Sequence, residues 1–107
     1  MAKNEAELKK FLENIDREDI NFKKHFYDKQ ELDRNYLSEE LVIKSLKDTN
    51  NFLGFQDQSK NNVEQYRIGV KISEKYDLVA VFEIKDKVLN IITAWKTSRK
   101  WQKAVQK

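Results

Sequence analysis

Residues 76–95 read YDLVAVFEIKDKVLNIITAW. Two apolar runs, Tyr76–Ile84 and Val88–Trp95, flank the polar triplet Lys85-Asp86-Lys87. Each run has strand length and many β-branched or aromatic residues, and a short polar break between such runs predicts a hairpin. The two are expected to be the central strands of a sheet. Immediately upstream, Val63–Ile72 alternates, with Tyr66, Ile68, Val70 and Ile72 on one face and Gln65, Arg67, Gly69 and Lys71 on the other. Ser73-Glu74-Lys75 is a turn, and Phe52–Phe55 predicts a further short strand before the polar loop Gln56–Asn62. Short connections between successive strands favour an antiparallel meander.

The first half reads as helices. Leu8, Phe11, Leu12 and Ile15 follow helical spacing within 4–15, with Asn4 as a cap and Glu7 in the capping-box position. Ile20 and Phe22 alternate as a short strand, and Lys23–Asn35 turns helical. Ser38 is an N-cap, Glu39 and Glu40 favour the positive end of the helix dipole, and Leu41, Val42, Ser45 and Leu46 form the inner face. Asp48–Asn51 stops this helix. The plan is α+β: helices on one face of an antiparallel meander of four strands, or three to five.

At 107 residues the chain is expected to be a single domain, with residues 1–18 a helical extension of the core 20–107. It has no cysteine, so no disulfide and no thiolate metal ligand or nucleophile. One histidine makes a His-based metal site an unfavourable reading, and no cofactor is expected. With only Gly54 and Gly69 there is no glycine-rich phosphate loop. No apolar run is long enough for a membrane span and no secretory signal is present, so no membrane partner and a cytoplasmic location are expected.

Charge is unevenly placed. The chain carries 21 basic and 18 acidic residues, and Thr93–Lys107 holds five of the basic and none of the acidic. The remainder is therefore net −2, and the excess sits in the tail. Wound as a helix, Lys96–Lys107 puts Lys96, Arg99, Lys100, Lys103 and Lys107 on one arc and Thr97, Trp101, Ala104 and Val105 on another. A basic stripe suits phosphate contacts, and nucleic acid is the commonest anionic partner. Ordinary surface lysines on a solvated helix would leave the same pattern.

Several stretches resemble the RelE superfamily of small toxins, and within it the BrnT-like toxins. They are Ile20-Asn21-Phe22 leading into His25; Asp33–Leu41; Tyr66-Arg67-Ile68-Gly69-Val70; and Ile91–Lys100. The resemblance covers about residues 20–103. It departs from the pattern at Asn35-Tyr36, where a turn glycine is usual, and at Trp95, where an arginine is frequent. It implies a RelE-like, microbial-ribonuclease-like fold over 20–107 with a closing basic helix. It also implies a metal-independent RNA endonuclease, acting on free or ribosome-bound RNA and neutralised by a protein antitoxin. The catalytic candidates are then Lys96, Arg99, Arg67 and His25, and the RNA-binding candidates are Lys71, Lys100, Lys103, Lys107 and Trp95. Glu64 and Glu83 are carboxylates that could act as bases, although strand surfaces commonly carry such residues. The competing expectation is a non-catalytic nucleic-acid-binding or protein-interaction module, monomeric or homodimeric, on the same fold.

Overall fold

The computed structural model describes residues 3–32 and 37–98. Helix α1 (Glu5–Asn14) begins with the predicted capping box: Asn4 Oδ1 accepts from Glu7 N–H at 2.9 Å and Glu7 Oε1 from Asn4 N–H at 3.0 Å. Strand β1 (Ile20–Phe22) leads into α2 (Lys24–Leu32). Ser38 caps α3 (Glu39–Lys47), its Oγ accepting from Leu41 N–H at 3.1 Å. The sheet strands follow as β2 (Phe52–Asp57), β3 (Glu64–Lys71), β4 (Tyr76–Lys85) and β5 (Val88–Ser98).

The five strands form one sheet in the order β1-β5-β4-β3-β2. Strands β2 to β5 make the expected antiparallel meander. The sheet is nevertheless mixed, because β1 joins the outer side of β5 in parallel, with Ile20 opposite Leu89 and Phe22 opposite Ile91. Nothing in three alternating residues announces a partner about seventy positions away. The β4–β5 turn is Asp86-Lys87, with φ of 52° and 66°, the left-handed backbone that matches the twist of a two-residue hairpin. At the β2–β3 tip Asn61 and Asn62 take φ of 53° and 67°, which asparagine tolerates better than most residues. The polar loop is accordingly shorter than expected, and Gln56 and Asp57 pair with Arg67 and Tyr66.

One apolar core lies between the helices and a single face of the sheet. Leu8, Leu12, Phe26, Val42 and Leu46 pack against Tyr66, Ile68, Leu78, Phe82, Leu89 and Ile91. Helix α1 thus belongs to the core, to which it contributes the buried Leu8 and Leu12. An aromatic row, Phe55–Tyr66–Phe82, crosses three strands with centroid separations of 6.2 and 6.0 Å. The Tyr66 hydroxyl, fully buried, donates to Glu64 Oε2 at 2.5 Å and accepts from Lys3 N–H at 2.6 Å, while Lys3 Nζ lies 3.2 Å from Glu64. Burial, and then the hydrogen bond to Glu64, push the Tyr66 phenol well above its ordinary value. No helix among the described residues is long and apolar enough to cross a membrane.

The closing helix expected from Lys96 does not begin there. Lys96, Thr97 and Ser98 continue β5, paired with Leu78, Asp77 and Tyr76. Strand pairing across the full length of β4 overrides the helical spacing of the basic residues there. Arg99–Lys107 lies outside the described residues, as does Asp33–Tyr36.

Candidate nucleic-acid interface

Strand alternation and register assign each side chain to a face. On β3, Tyr66, Ile68 and Val70 enter the core, so Gln65, Arg67, Gly69 and Lys71 belong to the other face. On β4, Asp77, Val79, Val81 and Glu83 share that face, opposite Leu78, Ala80, Phe82 and Ile84. A register shift between Val81 and Phe82 adds one residue to β5. It keeps Leu89 and Ile91 in the core and puts Thr93, Trp95 and Thr97 on the open side with Val81, Val79 and Asp77. None of these residues joins the helix-covered core cluster, yet Gly69, Asp77, Val79 and Thr93 are buried, so this second face reaches solvent through its half-exposed positions, Gln65, Arg67, Lys71, Val81, Glu83 and Trp95, and not through its centre.

The open face is ordered in rows. One row is polar: Gln65, Glu83 and Asn90 across β3, β4 and β5, continued by Asn21 on β1. Lys23, just past β1, reaches across β5 to Glu83, with Nζ–Oε1 of 2.7 Å. The next row is Gln56, Arg67, Val81 and Thr93. The third is Gly54, Gly69, Val79 and Trp95. The Arg67 guanidinium carbon stands 5.3 Å from the Trp95 ring centroid, joining the second and third rows. Lys71 and Asp77 begin the last row; Asp77 is 1% exposed, and Lys71 Nζ is 3.9 Å from Glu74. The Thr93 hydroxyl is buried without a hydrogen-bond partner among the described residues.

Three sequence candidates come together here: Arg67, Trp95 and Lys71. Two do not. Lys96 is paired with Leu78 and lies toward the helix-side face, its Nζ 4.5 Å from the Tyr76 ring centroid. His25 is exposed on α2. Arg99, Lys100, Lys103 and Lys107 fall outside the described residues. Sequence reasoning did not single out the Lys23–Glu83 pair. The only available signal was that Glu83 sits out of phase with the core residues Phe82 and Ile84; the lysine partner comes from a strand no local pattern connects to β4.

A sheet face with the Arg67 guanidinium near the Trp95 ring, two further lysines and a carboxylate at half-exposed or exposed positions offers phosphate contacts, an aromatic contact and a proton acceptor. Among the described residues no three His, Asp or Glu side chains gather as a metal-ligand set. A groove of about 480 Å³ elsewhere is lined by Phe11, Ile15 and Ile84 together with four carboxylates, Asp16, Asp19, Glu64 and Asp86, against two lysines, Lys3 and Lys87, a net negative lining that disfavours phosphate. The chain matches no family model, no curated protein and no solved structure.

Proposed function

We propose that the chain is a RelE/BrnT-like toxin that binds single-stranded RNA on the open sheet face and cleaves it without a metal. The observation that carries this role is the Arg67 guanidinium placed 5.3 Å from the Trp95 ring centroid on the face opposite the helices. A guanidinium beside an indole presents N–H groups to a phosphate, and an aromatic side chain on the same face supports contact with a base. Glu83 lies two residues along β4 from Val81, the cross-strand partner of Arg67, and so diagonal to Arg67 on the same face. There it accepts the proton of a ribose 2′-hydroxyl, whose oxygen attacks the adjacent phosphorus. The bond to the 5′-oxygen breaks, that oxygen takes a proton from solvent, and the upstream fragment ends in a 2′,3′-cyclic phosphate. Arg67, with Lys23, counters the charge on the phosphorane.

The test is incubation of the purified chain with end-labelled single-stranded RNA and analysis of the new 3′ ends. Cyclic phosphate ends that vanish when the ribose at the cut lacks its 2′-hydroxyl are expected. Intact RNA that is nevertheless bound would reduce the role to a non-catalytic RNA-binding module. Neither binding nor cleavage would remove RNA from the account and leave a protein-interaction role.

A further inference from the structure

The sheet has two edges. One is β1, only three residues long. The other is β2, and among the described residues no strand pairs with its outer side. Sheets usually blunt such an edge with lysine, proline or a bulge. Strand β2 reads FLGFQD and carries neither lysine, arginine nor proline. Its one register shift lies between Phe52 and Gly54, so the ladder from Gly54 onward is regular.

The ladder shows which backbone groups are spare. Gln58 N–H donates to Gln65 C=O at 2.9 Å. Hydrogen bonding alternates along an antiparallel pair, so Gln58, Gln56 and Gly54 turn their backbone groups toward β3. Phe55 and Asp57 therefore turn theirs outward, where no described strand meets them. None of the residues from Gly54 to Gln58 is buried, and Gln56 and Asp57 are exposed. A Cβ added at Gly54 would meet no heavy atom within 4 Å, so that end of the edge is open as well.

We propose that this edge pairs with the same edge of a second copy of the chain, antiparallel and about a two-fold axis at Gln56, so that one sheet continues through both copies. The stretch is self-complementary about that axis. Phe55 and Asp57 of one copy stand opposite Asp57 and Phe55 of the other and exchange their outward N–H and C=O groups. The residue that meets itself is Gln56, a neutral amide that both donates and accepts. Asp57, the single charged residue of β2, meets a phenylalanine and not a second carboxylate. The two Phe55 rings become diagonal neighbours, which joins the Phe55–Tyr66–Phe82 rows of the two copies. An extended peptide from another protein could use the same backbone groups, but nothing on β2 selects its sequence. The interface does not rest on the RNA role; it would set the two Arg67 strands about 14 Å apart on a shared face.

The test is sedimentation equilibrium of the full chain, wild type and with Gln56→Asp or Gln56→Lys. Both variants are expected to fold, as circular dichroism would show, because Gln56 is exposed. The wild type should dimerise reversibly with concentration. Each variant alone places like charges face to face on the axis and should raise the dimer Kd by about fivefold. An equimolar mixture of the two should pair at least as tightly as the wild type, because only the mixed dimer sets Asp against Lys. Hydrogen exchange on the wild type gives a second reading: the Phe55 and Asp57 amides should exchange more slowly as the dimer fills. A wild type that stays monomeric up to millimolar concentration overturns the proposal. So does a dimer that both variants form as tightly as the wild type, a mixture no tighter than its components, or a dimer that leaves the Phe55 and Asp57 amides unchanged.

Discussion

Replacing Arg67 by alanine should change how RNA binding responds to salt by a definable amount. The described part of this face presents four cations, Arg67, Lys71, Lys23 (engaged with Glu83) and Lys85 at the end of β4. For single strands each neutralised phosphate contributes roughly 0.7 to the slope of log K against log salt, so these four account for about 3. Arg67→Ala should lower the magnitude of the measured slope by about 0.7 and cost roughly 1–2 kcal/mol, or about five- to thirtyfold in Kd. Arg67→Lys separates charge from shape: the slope should hold, but affinity should drop because an ammonium lacks the planar, forked donors that a guanidinium presents beside Trp95. Lys96→Ala is the contrasting variant, since Lys96 lies against Tyr76 on the other face; its slope change should be clearly smaller. The assay is a titration of labelled single-stranded RNA at several salt concentrations, with circular dichroism to establish folding. A folded Arg67→Ala variant with the wild-type slope, or a Lys96→Ala variant with the larger loss, would refute the placement of the interface.

Three further outcomes follow from the geometry. Glu83→Gln should leave RNA binding within about twofold, because it removes no cation, yet reduce cleavage by roughly a hundredfold or more if Glu83 is the base; an undiminished rate excludes that role. Tyr66→Phe removes a buried hydroxyl bonded to Glu64 and Lys3, and should cost about 1–3 kcal/mol in urea unfolding, or roughly 5–15 °C in Tm. Because the phenol is raised above its ordinary 10.0 in the folded chain, its contribution is fully present below about pH 10 and is lost as pH climbs toward the folded value; Tyr66→Phe should flatten that part of the decline. Thr93→Val should stabilise the chain by about 1 kcal/mol, since a buried hydroxyl without a partner is replaced by a methyl of the same shape; destabilisation would mean the hydroxyl is satisfied after all.

Local signals carried much of the fold. The Asn4–Glu7 box and the Ser38 cap are bonds between residues three apart, so their pattern is visible in any short window. Strands β3, β4 and β5 were legible because alternation reports which side of a strand is buried, and helix-side segregation followed from the element order. The same alternation put Arg67 and Lys71 on the non-core face. Other features depended on relations that no window contains. The parallel pairing of β1 with β5 joins residues far apart in sequence. The extension of β5 through Ser98 comes from β4 offering ladder partners as far as Tyr76, which overrode a helical arrangement of basic residues.

The sequence by itself determined an α+β chain with capped helices, a meander of strands and an excess of positive charge at its end, because propensity, period and turn chemistry act over a few residues. Only the tertiary structure decided which charged groups share a surface. Register set Arg67 beside Trp95, Lys23 beside Glu83 and Gly54 opposite Gly69, and it turned Lys96 toward the other face. The physical reason is that a strand changes face at every residue, and neighbours across a sheet are fixed by hydrogen-bond ladders and a single bulge. A site on such a surface is therefore assembled by pairing rather than by spacing along the chain.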